Sequence, residues 1–202
     1  LGKSPAMRGL REQVERVATH DTAVLLQGEP GTGREMFARY LHSRSARADQ
    51  PFVPMIAASI VDEDASRQLF GLEAEGQVHP GVFDEAGQGT LFINELGDLP
   101  PEGQKAVLGA IEAGSYARVG GTKPRPLNCR ILSSAPPGFD KLAPKSFRRD
   151  LLSQLSVVTL RIPPLRERRE DIPLLVEHFL QRVAQRTGRP VKRFAPDALR
   201  HI

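Results

Sequence analysis

Gly28-Glu29-Pro30-Gly31-Thr32-Gly33-Arg34-Glu35 follows directly on the apolar run Ala23 to Gln27, AVLLQ. A short apolar run without alternation reads as a buried parallel strand. The periodic stretch from Arg34 to Ser43, with Phe37, Tyr40 and Leu41 inward, reads as a helix. A strand, a glycine-rich turn and a helix together make a phosphate-binding setting. The glycines let the backbone approach the phosphates, and the helix start presents N–H groups and positive dipole. The full pattern GxxxxGK[ST] adds a lysine for the outer phosphates and a hydroxyl for Mg2+. Here Gly28 and Gly33 match, Arg34 stands at the lysine place and Glu35 at the hydroxyl place. Arginine keeps the charge but is planar and bulky where lysine is a compact point charge.

Working outward, four more strands are expected at Phe52–Ile56, Thr90–Asn94, Cys129–Ser133 and Val157–Ile162. Helices are expected between them near Ala65–Phe70, Glu102–Ala113 and Arg148–Leu155. Ser4-Pro5 is a helix start, with Met7, Leu10, Val14 and Val17 on one face behind it. Strands alternating with helices indicate a doubly wound α/β sheet. Residues 71–81 and 117–128, containing Gly and Pro, are expected to be loops or a small hairpin. After Pro163-Pro164 the texture turns helical, with one long helix over Ile172–Arg186 and another starting at Phe194. The expected organisation is a nucleotide-binding α/β subdomain over 1–165 and the beginning of a helical subdomain over 166–202, the whole being an excised domain.

Composition excludes more than it assigns. The 202 residues hold 28 Lys and Arg against 24 Asp and Glu, a net +4 too mild to argue for DNA contact. The one cysteine, Cys129, rules out an internal disulfide framework and a CxxC metal pair, and reads as a small core residue. No apolar run approaches a membrane span of ~20 residues, and a cytoplasmic location is expected. His42, His79, His178 and His201 lack ligand spacing and are expected in solvated or capping roles, with no metal. Arg166, Arg168 and Arg169 beside Glu167, Glu170 and Asp171 read as a solvated, paired face.

Hydrolysis of a nucleoside triphosphate also needs acidic groups at a neighbouring strand end, one for Mg2+ and one to polarise water. Thr90-Leu91-Phe92-Ile93-Asn94-Glu95 is the candidate. Glu95 is in place; Asn94, where the first carboxylate belongs, is neutral.

GEPGTGRE, QLFG, GTLFINELGDLP, ARVGGTKPRPLNCRIL, FRRDLL and IPPLRERREDIPLL together resemble the central AAA+ domain of bacterial enhancer-binding proteins. These are the ATPases that remodel RNA polymerase carrying sigma-54. The resemblance covers the whole chain. It implies an AAA+ P-loop NTPase fold, a five-stranded parallel sheet between helices, with the start of a helical lid. It implies nucleotide between self-associated protomers or related AAA+ protomers, a GAFTGA loop on sigma-54, and DNA contact only through a separate domain. On this resemblance Gly28, Glu29, Pro30, Gly31, Thr32, Gly33, Arg34, Glu35 and Asn94 form the nucleotide site, and Glu95 and Arg148 are the catalytic remnants. ATP or ADP is the cofactor implied, and the loss of the Asn94 carboxylate counts against Mg2+.

The chain departs from that family where chemistry is done. Beside Arg34 and Asn94, Ile56 replaces the Asn that holds the catalytic glutamate in check. GAFTGA is absent from a shortened loop. Pro136 falls near the Asn that senses the terminal phosphate, and Gln154 replaces the second trans-acting arginine. Glu35 is no departure, since the family commonly has Glu there. Three functional readings follow from sequence: a regulatory pseudo-ATPase, a working ATPase of altered geometry, or an interaction scaffold that binds no nucleotide.

Overall fold

A computed structural model describes residues 2–143, 145–188 and 190. The chain divides into two compact units, residues 13–162 and residues 1–12 with 163–202. The elements in chain order are α1 (Pro5–Ala18), β1 (Val24–Gln27), α2 (Arg34–Ser43), β2 (Phe52–Ile56), α3 (Ala65–Phe70), β3 (Gly71–Ala74), β4 (Gln77–Pro80), α4 (Val82–Ala86), β5 (Thr90–Asn94), α5 (Pro101–Ala113), β6 (Ser115–Tyr116), β7 (Arg125–Pro126), β8 (Arg130–Ala135), α6 (Phe139–Leu142), α7 (Arg149–Leu155), β9 (Val158–Arg161) and α8 (Ile172–Thr187).

In the larger unit, five parallel strands lie in the order β2-β5-β8-β1-β9. The three central strands are almost wholly buried, as parallel strands covered on both faces must be. Leu25, Leu91, Ile93, Leu96, Leu69, Phe83 and Val107 centre the core, each removed from water. Burying such a side chain contributes roughly 1.5–3 kcal/mol. Helix α5 opens on Pro101 at its first position and stops at Gly114, whose φ of 62° is left-handed. That is the usual proline-in, glycine-out punctuation of a helix.

The starts of the strands are tied by two arginines. Arg47 pairs with Asp21 ahead of β1 and donates to the Gln88 carbonyl ahead of β5 and the Asn128 carbonyl ahead of β8. Arg130, 3% exposed, donates to the carbonyls of Val17, Ala18 and Thr22. His42, expected in a solvated or capping role, is instead buried on the inward face of α2. There its Nδ1 shares a 2.9 Å hydrogen bond with the Thr90 hydroxyl. Tyr40, expected inward, is half-buried, with its hydroxyl on Glu15. Cys129 falls just before β8 rather than in it and is half-buried; burial pushes its thiol up to about 11.

Residues 71–80 form the hairpin β3–β4, and 115–126 the hairpin β6–β7. A parallel bridge at Leu72 and Val119 links the two, with Glu73 N–H on the Val119 carbonyl and Val119 N–H on the Gly71 carbonyl. Gly120, φ 78°, lies so close to the Glu73 carbonyl that a Cβ there would stand 2.5 Å from its oxygen. Behind this ladder the Asp84 carboxylate accepts from Tyr116, from the Gly81 N–H and from Arg118, and pairs with Arg125. Burial raises its pKa, but these donors outweigh that and leave it below the usual carboxylate range.

In the smaller unit, α1 opens on Ser4, whose hydroxyl accepts from the Met7 N–H at 3.4 Å and donates to Asp171 at 2.8 Å. Asp171 is buried, and Arg168 beside it is 7% exposed with its guanidinium on the Met7 sulfur. Arg168 is therefore no part of a solvated face; charge pattern alone could not separate the buried arginine from its neighbours. Among the described residues no helix is long and apolar enough to cross a membrane. The helix expected from Phe194 lies outside the described residues.

Candidate nucleotide site

β1 ends on Gln27, buried, whose side chain donates to Asp140 at 2.8 Å and accepts from the Gly138 N–H at 3.2 Å. The ladder runs one step further, Gly28 N–H to the Ala135 carbonyl at 3.2 Å. The chain then turns. Thr32 N–H and hydroxyl both bond to the Glu29 carbonyl, at 3.2 and 2.6 Å. A Cβ on Gly28 would meet the Thr32 hydroxyl at 2.6 Å and the Ile162 carbonyl at 3.3 Å, so only glycine fits. Gly31 and Gly33 sit at φ 80° and 96°, the left-handed region that glycine enters without penalty. Gly33 caps α2 with backbone alone. The loop thus delivers the start of a ten-residue helix to the carboxyl ends of the strands, where open α/β sheets bind ligands.

Arg34, the first residue of α2, is 8% exposed. Its guanidinium grips the Glu95 carboxylate through both terminal nitrogens, Nη1 to Oε2 at 3.1 Å and Nη2 to Oε1. A bidentate arginine–carboxylate pair is among the strongest polar contacts a protein makes. Glu95 itself sits at φ 55°, ψ 64°, a left-handed conformation that disfavours a residue with a side chain. Its N–H is held by the Ser134 hydroxyl at 3.0 Å, and that hydroxyl donates to the Asn94 Oδ1 at 2.7 Å. β5 and β8 thus bring Asn94, Glu95 and Ser134 together against the loop. Ile56, paired in register with Asn94, is 59% exposed at the end of β2, and its side chain offers no hydrogen bond.

Arg148 makes its contacts elsewhere. It precedes α7, with its N–H on Gln104 and its guanidinium paired with Asp150 at 2.7 Å. This pairing, together with the Leu151 N–H, holds the Asp150 carboxyl below its usual range. Ser134 belongs to no motif singled out by sequence; its signal is that it lies across from Asn94, one step beyond the Ile93–Ser133 register pair.

Mg2+ is bound in phosphate-loop sites through one or two carboxylates together with the phosphates. The residues here do not fit it. Asn94 is neutral and its oxygen is taken by Ser134. Glu35 is turned to Arg39, at 2.9 and 2.8 Å, and Glu95 to Arg34. Among the described residues no group of three or more His, Cys, Asp or Glu is placed to hold a metal ion.

A five-stranded parallel sheet with a phosphate loop after its first strand is the architecture of an AAA+ P-loop NTPase domain. Residues 1–161 match the Sigma-54 interaction domain, and residues 166–202 match the AAA+ ATPase lid domain. The chain belongs to the Sigma-54 interaction domain family. The nitrogen assimilation regulatory protein NtrX of Azorhizobium caulinodans is 40% identical over 202 residues, covering 98% of this chain and 44% of that protein. The response regulator protein PilR of Pseudomonas aeruginosa is 40% identical over 204 residues, 98% of this chain and 46% of that one. The chain thus spans about half the length of the curated relatives it matches. The crystal structure of NtrX from Brucella abortus is 39% identical, with a TM-score of 0.91 over 99% of this chain and 46% of that one. The same protein in complex with ATP gives 0.90, at 39% identity over 99% of this chain and 46% of that one.

Proposed function

We propose that this chain is the central module of a bacterial transcription regulator that acts in the cytoplasm, binds ATP or ADP at residues 28–35, and hydrolyses ATP weakly or not at all. Its output is nucleotide occupancy and self-association rather than turnover. The observation that carries this reading is the Arg34–Glu95 pair. Phosphoryl transfer needs a cation on the outer phosphates and a carboxylate facing the attacking water. Here the residue at each place is spent on the other. Asn94 adds no charge for a metal, and Arg148 is engaged by Asp150 within its own chain. Nucleotide binding is supported by the intact turn geometry and by the likeness to NtrX of Brucella abortus, solved with ATP and with ADP.

Contact with sigma-54 polymerase follows from the family, but the GAFTGA segment is replaced by the short β3–β4 hairpin. Any contact is therefore made by a different sequence, and DNA is bound through a separate domain.

The test is ATP turnover by the chain with Mg2+, alongside Glu95→Gln and Arg34→Lys. The expected rates for the chain and for Glu95→Gln are equal and at background. A chain rate that Glu95→Gln abolishes would show instead a working ATPase of altered geometry.

A further inference from the structure

In the phosphate loop, a carboxylate of the chain itself occupies the cation that a nucleotide phosphate needs. The residue at this place of a phosphate loop reaches the outer phosphates. Here that residue is Arg34, buried to 8% exposure and closed on Glu95 by two parallel N–H to oxygen contacts. A guanidinium fork takes two oxygens of a carboxylate or two oxygens of a phosphate in the same bidentate way. Glu95 is held for this from behind, its backbone in the left-handed region and its N–H on Ser134.

The geometry points to a metal-free nucleotide site that works by partner exchange: Glu95 is an internal competitor of nucleotide phosphate for Arg34. This rests on the reading of residues 28–35 as a phosphate loop. A diphosphate arriving at the loop displaces the carboxylate from the fork. Glu95, 31% exposed on its side chain, passes to water at modest cost. No divalent cation takes part, because Glu35 is neutralised by Arg39, Asn94 brings no charge, and the displaced Glu95 turns to water. The guanidinium supplies what the metal and the lysine supply elsewhere.

A binding-competent state that is only a fraction of the free population weakens the apparent affinity by that fraction. Removing the competitor therefore tightens binding, the reverse of what removing a residue from a binding site ordinarily does. It also separates this arrangement from a metal-dependent site, where Mg2+ raises affinity.

The experiment is titration calorimetry of ADP, with pyrophosphate and AMP as comparison ligands, in EDTA and again in excess Mg2+. ADP is used because it cannot be turned over at the outer phosphate. The proteins are the chain, Glu95→Gln, Glu95→Asp and Arg34→Ala, each checked for unchanged thermal unfolding behaviour. The expected result is ADP binding in EDTA that Glu95→Gln tightens by about tenfold. Glu95→Asp, which keeps the charge, stays closer to the parent, and Arg34→Ala loses binding. Pyrophosphate competes and AMP does so poorly, which identifies the diphosphate as the group recognised. Binding by Glu95→Gln alone, with none by the parent, also supports the exchange. ADP binding that is lost in Arg34→Ala, yet unchanged in Glu95→Gln or strengthened tenfold by Mg2+, would overturn the exchange and leave the phosphate loop standing. Absence of binding by both the chain and Glu95→Gln would overturn both.

Discussion

Residue by residue, two carboxylates answer similar surroundings differently. Glu95 meets one arginine beside the glycine-rich loop and keeps about a third of its side-chain surface in water. The Asp84 side chain is 5% exposed and serves three side-chain donors from the 115–126 hairpin. Removing a buried partner leaves its charges uncompensated, which costs about 3–5 kcal/mol. Asp84→Ala is therefore expected to lower unfolding stability by about 3 kcal/mol, read from urea denaturation. A loss below 0.5 kcal/mol, a surface-mutation value, would mean the cluster is only a surface pairing. Gly28 admits no side chain because of the Thr32 hydroxyl. Gly28→Ala is expected to weaken ADP binding through loop distortion while the sheet stays folded; unchanged binding would show that the turn relaxes freely.

At the scale of elements, the two hairpins behave as one. Gly120 stands at a left-handed φ against the Glu73 carbonyl, where a side chain adds strain of roughly 1–3 kcal/mol. Gly120→Ala is expected to speed hydrogen exchange at the Glu73 and Val119 amides together and spare β5 and β8. Acceleration at one amide without the other would show that the hairpins open separately. Much of this element map was legible beforehand. The five strands of the parallel sheet fell within two residues of their expected ends because each carries a short apolar stretch, and α2 and α3 have the bounds their periodicity gives. The short α4 and α6 were not foreseen, since five or four residues carry too little periodicity. In the site, the loop residues, Asn94 and Glu95 could be picked out by type, whereas Ser134 could not. The Arg34–Glu95 closure was not, because 61 positions separate the partners and no local pattern reports their meeting. His42 did leave a trace: Arg34, Ala38 and His42 recur every four residues on the buried face of α2.

For the molecule as a whole, pH acts through that buried imidazole. Burial is the largest cause that lowers the His42 pKa below the ordinary 6.5; Arg130 and Arg39 push the same way, against a backbone hydrogen bond at Gln50. As pH falls through 6.5, the unfolded chain takes up this proton before the folded chain does, so stability falls with it. The loss is complete below the folded value. The urea midpoint is expected to drop between pH 7.5 and pH 5.5, and to drop less in His42→Gln; identical pH slopes in the two proteins would assign the effect to other groups. The arginine that binds Asp21, Gln88 and Asn128 has a mechanical consequence for the same sheet. Three strands are riveted where they begin, and the glycine-rich loop lies where they end. The sheet is a cantilever, tied at its root and free at its tip. Movement imposed at the loop is therefore expected at the strand ends, with the register held at the root.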